Sequence, residues 1–326
     1  MRYIISSTRN PYFNLATEEY LLNNEKDDVI YLYRNDSSII IGKNQNAHEE
    51  INYQYVTDNG IPVVRRLSGG GAVFHDLGNL NFCFITNRKS GQSFQQFTMP
   101  IIDFLKNLGL NASFSGRNDL LIDGKKFSGN AQYHFKERLL HHGTLLFSSN
   151  MEQLTSALKV KKSKFEGKSV KSVKSRVTNI ESHLQEPMTI QVFTENLFNH
   201  LYQDDSTVTR GNHTLTSEET MQIQALVNTK YDTYDWTYSK SPKSTVIKDF
   251  KYSGGNVVYY LDIADGKIKN INITGDFFSR EDISELEDKL KSANYEKDAV
   301  LNVVESLNID NYLIGLDNTG FIESLF

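Results

Sequence analysis

A chain of 326 residues with 23% charged and 11% aromatic side chains has the apolar stock for a substantial core and the length of two domains, or of one large domain with an appendage, and is not a disordered protein. Its formal charge of -5 argues against a general nucleic-acid binder, which needs a positive surplus. The single cysteine, Cys83, cannot close an intramolecular disulfide, which fits a reducing compartment. The N-terminus has Arg2 and a strand-like Tyr3-Ile4-Ile5 instead of the long apolar stretch of a signal peptide, and no run approaches the ~18 consecutive apolar residues of a membrane span. The expectation is a soluble cytoplasmic protein with neither nucleic acid nor membrane among its partners.

In chain order, Asn14 to Asn24 reads as a helix capped by Asn14, with Leu15, Tyr20, Leu21 and Leu22 turned inward. Val29 to Tyr33 and Ser38 to Ile41 are β-branched and aromatic runs that read as strands. A helix is expected over His48 to Asp58, stopped by Asn59-Gly60, then a strand over Pro62 to Arg66. After a glycine run come strands Ala72 to Phe74 and Leu80 to Thr86, and a helix from Phe94 to Leu108. Asp119 to Ile122 and Lys125 to Ser128 flank Asp123-Gly124, a strong hairpin signal. A returning strand lies near His142 to Phe147. Lys159 to Arg176 holds eight Lys or Arg against Glu166, a net +7 that leaves -12 for the remainder, and reads as a mobile loop. Helical patterns resume at Thr189 to Tyr202 and Ser217 to Tyr231. A polar linker at Ser239 to Ser244 separates a large domain over residues 1–241 from a small one over 246–326. The small domain has strands Lys248 to Tyr252, Val257 to Ile263 and Lys267 to Ile273, and a helix over Arg280 to Lys291. Strands and helices mix without a strict βαβ repeat, so the fold class is α+β with mixed or antiparallel sheets flanked by helices.

The most informative stretch is Arg65-Arg66-Leu67-Ser68-Gly69-Gly70-Gly71-Ala72-Val73-Phe74-His75-Asp76. Consecutive glycines leave backbone N–H groups open to a phosphate or carboxylate, and the arginine pair adds permanent charge and bidentate donors. The spacing is neither the dinucleotide fingerprint nor a Walker loop. In Ser115-Gly116-Arg117-Asn118-Asp119, Asn118 and Asp119 offer oxygen ligands suited to Mg²⁺. Lys126 follows the hairpin turn, and strand alternation would turn Lys126 and Ser128 one way and Phe127 the other; an amine aimed into a site could hold a carboxylate and an α-phosphate together. His141 and His142, adjacent on a strand, face opposite ways and make a poor metal pair. Cys83 sits in the apolar Asn81-Phe82-Cys83-Phe84-Ile85, where a buried inert thiol is expected.

Together these stretches resemble the lipoate–protein ligase family, within the biotin and lipoate ligase superfamily. Its R-R-x-S-G-G-G-A-V-F-H-D-x-G-N loop matches Arg65 to Asn79. Its S-G-R-N-D stretch matches Ser115 to Asp119, its K-x-S-G-x-A element Lys126 to Ala131, and its H-H-G-T-L-L run His141 to Leu146. Its S-V-x-S-R-V-T-N adenylate-loop pattern matches Ser172 to Asn179, and the similarity continues through Trp236 and Gly254-Gly255. The resemblance implies a large catalytic domain with a small accessory domain, ATP and Mg²⁺ as cofactors, and a lipoyl-adenylate intermediate whose lipoyl group passes to a lysine of an apo-acceptor. The implied acceptors are lipoyl domains of 2-oxoacid dehydrogenase complexes and the glycine-cleavage H protein. Lys126 is the implied catalytic residue. The implied ATP and lipoyl-AMP contacts are Arg66, Gly70, Gly71, Ala72, Val73, Phe74, His75, Lys126 and Arg176. The implied lipoate contacts are Arg66, Ser68, Gly69, Lys126, Ser128 and Ala131.

Three rival readings differ in what they need. A cysteine-dependent acyltransferase on the same scaffold would need Cys83 as its nucleophile. A biotin ligase would run the same adenylation with a more arginine-rich loop, and a lipoyl-domain-binding module would lack the site around Lys126.

Overall fold

The computed structural model describes residues 1–88, 92–158, 176–203, 214–238, 246–264 and 266–326. The expected linker at Ser239 to Ser244 and nearly all of the basic run from Lys159 to Arg176 lie outside the described residues. The described chain divides into two compact units. One comprises Met1–Ile40, Ile51–Val64 and Val73–Thr233; the other comprises Ile41–Glu50, Arg65–Ala72 and Tyr234–Phe326.

The first unit is built on a seven-stranded sheet of β1 (Arg2–Ile5), β2 (Val29–Tyr33), β6 (Asn79–Asn87), β10 (Arg138–Leu146), β9 (Lys125–Phe135), β8 (Asp119–Ile122) and β7 (Ala112–Ser115), in that spatial order. The β1–β2 pair is parallel and the other pairs are antiparallel. A short sheet of β4 (Val63–Arg65), β3 (Ser38–Ile41) and β5 (Val73–His75) has β3 in the middle. The core lies where helices Phe94–Asn107 and Ile190–Gln203 bring Ile101, Leu105, Phe193 and Leu197 against Leu80, Phe82, Leu120, Phe127 and Phe147. Alternation explains why these strands are half apolar, and a period of 3.6 explains why each helix buries one stripe.

The second unit has its own core. The antiparallel strands β11 (Val246–Tyr252), β12 (Gly255–Ala264) and β13 (Lys267–Gly275) lie in that order. Val257, Tyr259, Leu261, Ile271 and Ile273 pack with Leu286 and Leu290 of helix Ile283–Leu290 and with Phe321 and Leu325 of helix Asn318–Leu325.

The expected mixed α+β class holds, and the differences are local. The first helix starts earlier, at Pro11, with Asn10 as its cap: the Asn10 side chain accepts hydrogen bonds from the Tyr12 and Phe13 amides. Proline at the first helical position loses no hydrogen bond there. Asn14 is instead buried inside that helix and accepts from the Tyr31 hydroxyl at 2.7 Å. The helix expected over His48 to Asp58 is two short ones, Ala47–Glu50 and Tyr53–Asp58, because Ile51 leaves to bridge Leu158 and Asn52 caps the second. The helix expected to run through Tyr231 gives way after Leu226 to a π turn, Val227–Tyr231, and β7 was not expected at all. β9 and β10 run well past the short strands expected there, to Phe135 and from Arg138.

Replacing the exposed cap, Asn10→Ala, should lower unfolding free energy by about 1 kcal/mol. Urea denaturation with an unchanged slope checks it, and no change would leave Pro11 as the whole start signal.

Candidate active site

The glycine-rich segment belongs to the second unit, and its two arginines do different work. Arg65 is 1% exposed. Its guanidinium donates to the carbonyls of Gly42, Lys43, Gln45, Trp236 and Thr237 at 2.6–3.0 Å, and the Trp236 indole returns a bond to the Arg65 carbonyl at 2.8 Å. Burial, and then the neighbouring Arg66, bring its pKa down to about 10, so it stays charged. The two arginines were expected to present donors to an anion together; Arg65 does not, because its donors are spent on backbone carbonyls. Arg66 curls over its own loop, donating to the Ser68 hydroxyl at 3.1 Å, to the Gly69 carbonyl at 2.6 Å and to the Gly71 carbonyl at 2.9 Å. Ser68 is fully buried and its carbonyl accepts from the Lys43 amide at 2.8 Å.

The three glycines are not equivalent. A β-carbon on Gly69 would lie 2.2 Å from the Phe277 carbonyl oxygen, whereas one on Gly71 would meet nothing nearer than Asp276 at 4.0 Å. Gly70 has φ +88 and donates its N–H to the Phe277 carbonyl at 3.3 Å. Gly69 is therefore a packing glycine and Gly70 a conformational one, while the backbone at Gly71 and Ala72 is half-exposed.

In the first unit, Lys126 lies beside a bulge. Leu120 faces Ser128 and Leu121 faces Lys126, so Phe127 is the extra residue. Phe127 and Ser128 are both buried while the Lys126 side chain is 39% exposed. The slip interrupts the alternation expected to put Lys126 and Ser128 on one face. The Lys126 amine lies 2.7 Å from Asp119 Oδ1 and runs over Gly129, where a β-carbon would approach it to 3.2 Å. The Asn118 amide donates to the Asn130 carbonyl at 2.6 Å, and the Asn130 amide returns a bond to the Asn118 carbonyl at 3.0 Å, fixing the turn before Asp119. Lys126 also pairs in parallel with Val177, and the Thr178 amide donates to the Lys126 carbonyl at 2.8 Å. The end of the Ser172–Asn179 element thus reaches the lysine; Ser172 to Ser175 lie outside the described residues, and Arg176 is exposed.

Residues 10–202 match the lipoyl protein ligase A/B catalytic domain, and residues 241–325 match the bacterial lipoate protein ligase C-terminus. The chain belongs to the lipoate–protein ligase family. It is 43% identical to the lipoate-protein ligase LplJ of Bacillus subtilis (strain 168) over 321 residues, 97% of each chain. The crystal structure of P. falciparum LipL1 in complex with lipoate superposes with a TM-score of 0.78 at 27% identity, over 99% of this chain and 97% of that one. The crystal structure of lipoate-protein ligase A bound with ATP superposes with a TM-score of 0.63 at 26% identity, over 73% of this chain and 99% of that one.

The remaining residues of this ligase divide by environment. Phe74 and His75 are buried on β5, and Asn35 donates to His75 Nδ1 at 3.0 Å. Asp76 closes the following turn, accepting from the Gly78 and Asn150 amides at 2.9 and 2.6 Å. Ala131 on β9 pairs with His142 across to β10. His141 and His142 do face opposite ways. His141 stacks on Phe97 at 5.0 Å, and burial, with His142 adding, holds its pKa well below the ordinary range. His142 Nδ1 meets the buried Glu18 carboxylate at 2.8 Å. Cys83 is fully buried, and burial, reinforced by Glu18, pushes its thiol well above the usual range, the reverse of what a nucleophilic thiolate requires. Sequence reasoning missed the pairing of Val177–Thr178 with Lys126 and the seat that Phe277 provides for the glycine loop; neither has a local sequence signal.

Gly69→Ala should destabilise the second unit by roughly 1–3 kcal/mol, since the opposing atom is backbone and cannot rotate away. Gly71→Ala should stay within about 0.5 kcal/mol on steric grounds. Chemical denaturation of the pair checks this; equal losses would mean that the close approach of Phe277 does not set the requirement at Gly69.

Proposed function

We propose that this ligase activates lipoate with ATP to lipoyl-AMP, releasing pyrophosphate, and then passes the lipoyl group to a lysine of an apo-acceptor. The observation that carries this reading is the half-exposed Lys126 amine, held by Asp119 at 2.7 Å on a strand anchored by the buried Phe127. The relatives solved with lipoate and with ATP support the choice of substrates. Lipoyl domains and the glycine-cleavage H protein are the proposed acceptors, in the cytoplasm. Among the described residues no helix is long and apolar enough to cross a membrane.

A free carboxylate is a poor acyl donor, and its charge repels the α-phosphate it must attack. Lys126 offsets that repulsion by attracting both groups as charge develops in transfer. Carboxylate oxygen then bonds to the α-phosphorus while the bond to pyrophosphate breaks. In the second step the acceptor's neutral amine attacks the acyl carbon, AMP leaves, and Lys126 polarises the carbonyl. No covalent enzyme intermediate is needed. Asp119, whose carboxylate meets the Lys126 amine through Oδ1, and the Asn118 side-chain oxygen are the residues that would hold Mg²⁺, an ion that commonly takes one or two carboxylates. Bound there, Mg²⁺ would neutralise phosphate charge.

ATP-dependent lipoylation of a purified apo-acceptor, with lipoate, octanoate and biotin compared, tests the reaction itself. Lys126→Ala should cut pyrophosphate release with lipoate by on the order of 100-fold or more while leaving the fold intact; near-normal turnover in the folded variant would remove Lys126 from the chemistry. Cys83→Ser should retain lipoylation, and its loss in a folded variant would favour a cysteine-dependent acyltransferase.

A further inference from the structure

We infer that His183 is a positioning residue for Lys126, acting through Thr178; this rests on Lys126 carrying the proposed reaction. Val177 and Thr178 meet β9 at one isolated parallel bridge, and the described backbone bond there is the Thr178 amide to the Lys126 carbonyl. An isolated bridge at the edge of a bulge is a weaker hold than a continuous ladder, and the side-chain contacts of Thr178 add to it. The close one is His183 Nε2 to Thr178 Oγ1 at 2.8 Å; the Ser182 hydroxyl and the Asn179 carbonyl stand at 3.5 Å.

His183 can act as a post because its own turn is fixed. Ile180 of the turn Ile180–His183 is fully buried in the main core, and the Glu181 amide donates to the Phe147 carbonyl at 3.0 Å. Asn179, just before it, exchanges two bonds with the Ser149 backbone at 3.0 and 3.1 Å. The other ring nitrogen of His183 faces Asp123 Oδ2 at 3.5 Å. Asp123 is at the tip of the hairpin whose second strand carries Lys126, and its φ is +50. One imidazole therefore touches both the segment that holds the Lys126 carbonyl and the tip that precedes Lys126. If the bulge sets where the amine stands, His183 fixes the side of the bulge that the sheet leaves unsupported.

The two ring nitrogens can be tested apart. A glutamine amide reaches roughly where Nε2 stands, and an asparagine amide where Nδ1 stands. Hydrogen exchange at the Thr178 amide reads the fastening, and pyrophosphate release with lipoate and ATP reads the chemistry. His183→Ala should accelerate Thr178 exchange about fivefold, the worth of one ordinary hydrogen bond. It should lower kcat about fivefold with KM for lipoate within about twofold, as expected for a lost transition-state placement. His183→Gln should recover most of both, and His183→Asn should behave as the alanine variant. Thr178→Val, which keeps the amide and removes the hydroxyl, should reproduce the loss of kcat. Unchanged exchange in His183→Ala overturns the inference, as does faster exchange with unchanged kcat, or no recovery in His183→Gln. Failure of the underlying reading shows separately, as retained turnover in Lys126→Ala.

Discussion

A guanidinium with 1% exposure must find a partner for every donor or leave charge stranded in a poor dielectric, and Arg65 finds its partners in backbone carbonyls alone. Those carbonyls come from two stretches far apart in sequence, Gly42 to Gln45 and Trp236 to Thr237. Satisfying one side chain thus collects three pieces of chain: the segment after β3, the glycine loop, and the helix Tyr234–Tyr238. The neighbouring contacts follow the same plan. The Arg66 amide donates to the Ile41 carbonyl at 3.0 Å, the Lys43 amide to the Ser68 carbonyl at 2.8 Å, and the Gly275 amide to the Asn44 carbonyl. With Arg65 used as a tie, Arg66 remains as the arginine that shapes the loop itself.

The first unit solves a different problem, which is how to hold a flexible amine in one place. Its answer is a bulge. Phe127 drops into the core with Leu120, Ile122 and Leu145, and the residue before it is left at the surface beside Asp119. The bulged phenylalanine is buried at the expense of strict pairing, and the lysine's backbone is anchored by a neighbour that cannot move without opening the core. Asn118 and Asn130 brace one flank through their reciprocal bonds, and Val177–Thr178 meets the Lys126 backbone.

The α+β class, the hairpin at Asp123-Gly124, the strand carrying Cys83 and the opposed histidines were all legible, because each depends on local periodicity or a turn residue. The burial of Cys83 followed from the apolar run around it. The start of the first helix was legible too, in Asn10-Pro11, but was read one turn late. What was hidden depends on partners distant in sequence. Nothing near Arg65 says that its charge meets Trp236, and nothing near Gly69 says that the Phe277 carbonyl requires a hydrogen there. The bulge at Phe127 was hidden for another reason: alternation is assumed until a register slip breaks it, and the slip is decided by which side chain the core accepts. The family motif marked the glycine loop as a ligand site, and the structure adds that part of its glycine content answers to packing.

The seat of Gly69 and Gly70 lies more than two hundred residues downstream, at Phe277. During synthesis from the N-terminus, the long sheet of the first unit can assemble while the glycine loop still lacks the carbonyl that receives the Gly70 amide. The guanidinium of Arg65 likewise waits for Trp236 and Thr237. The loop is among the early segments to leave the ribosome and among the last to acquire its final surroundings. A nascent chain of this ligase therefore carries its most distinctive motif in an unfinished state until the C-terminal strands have emerged, so the loop's maturation reports that translation has passed β13.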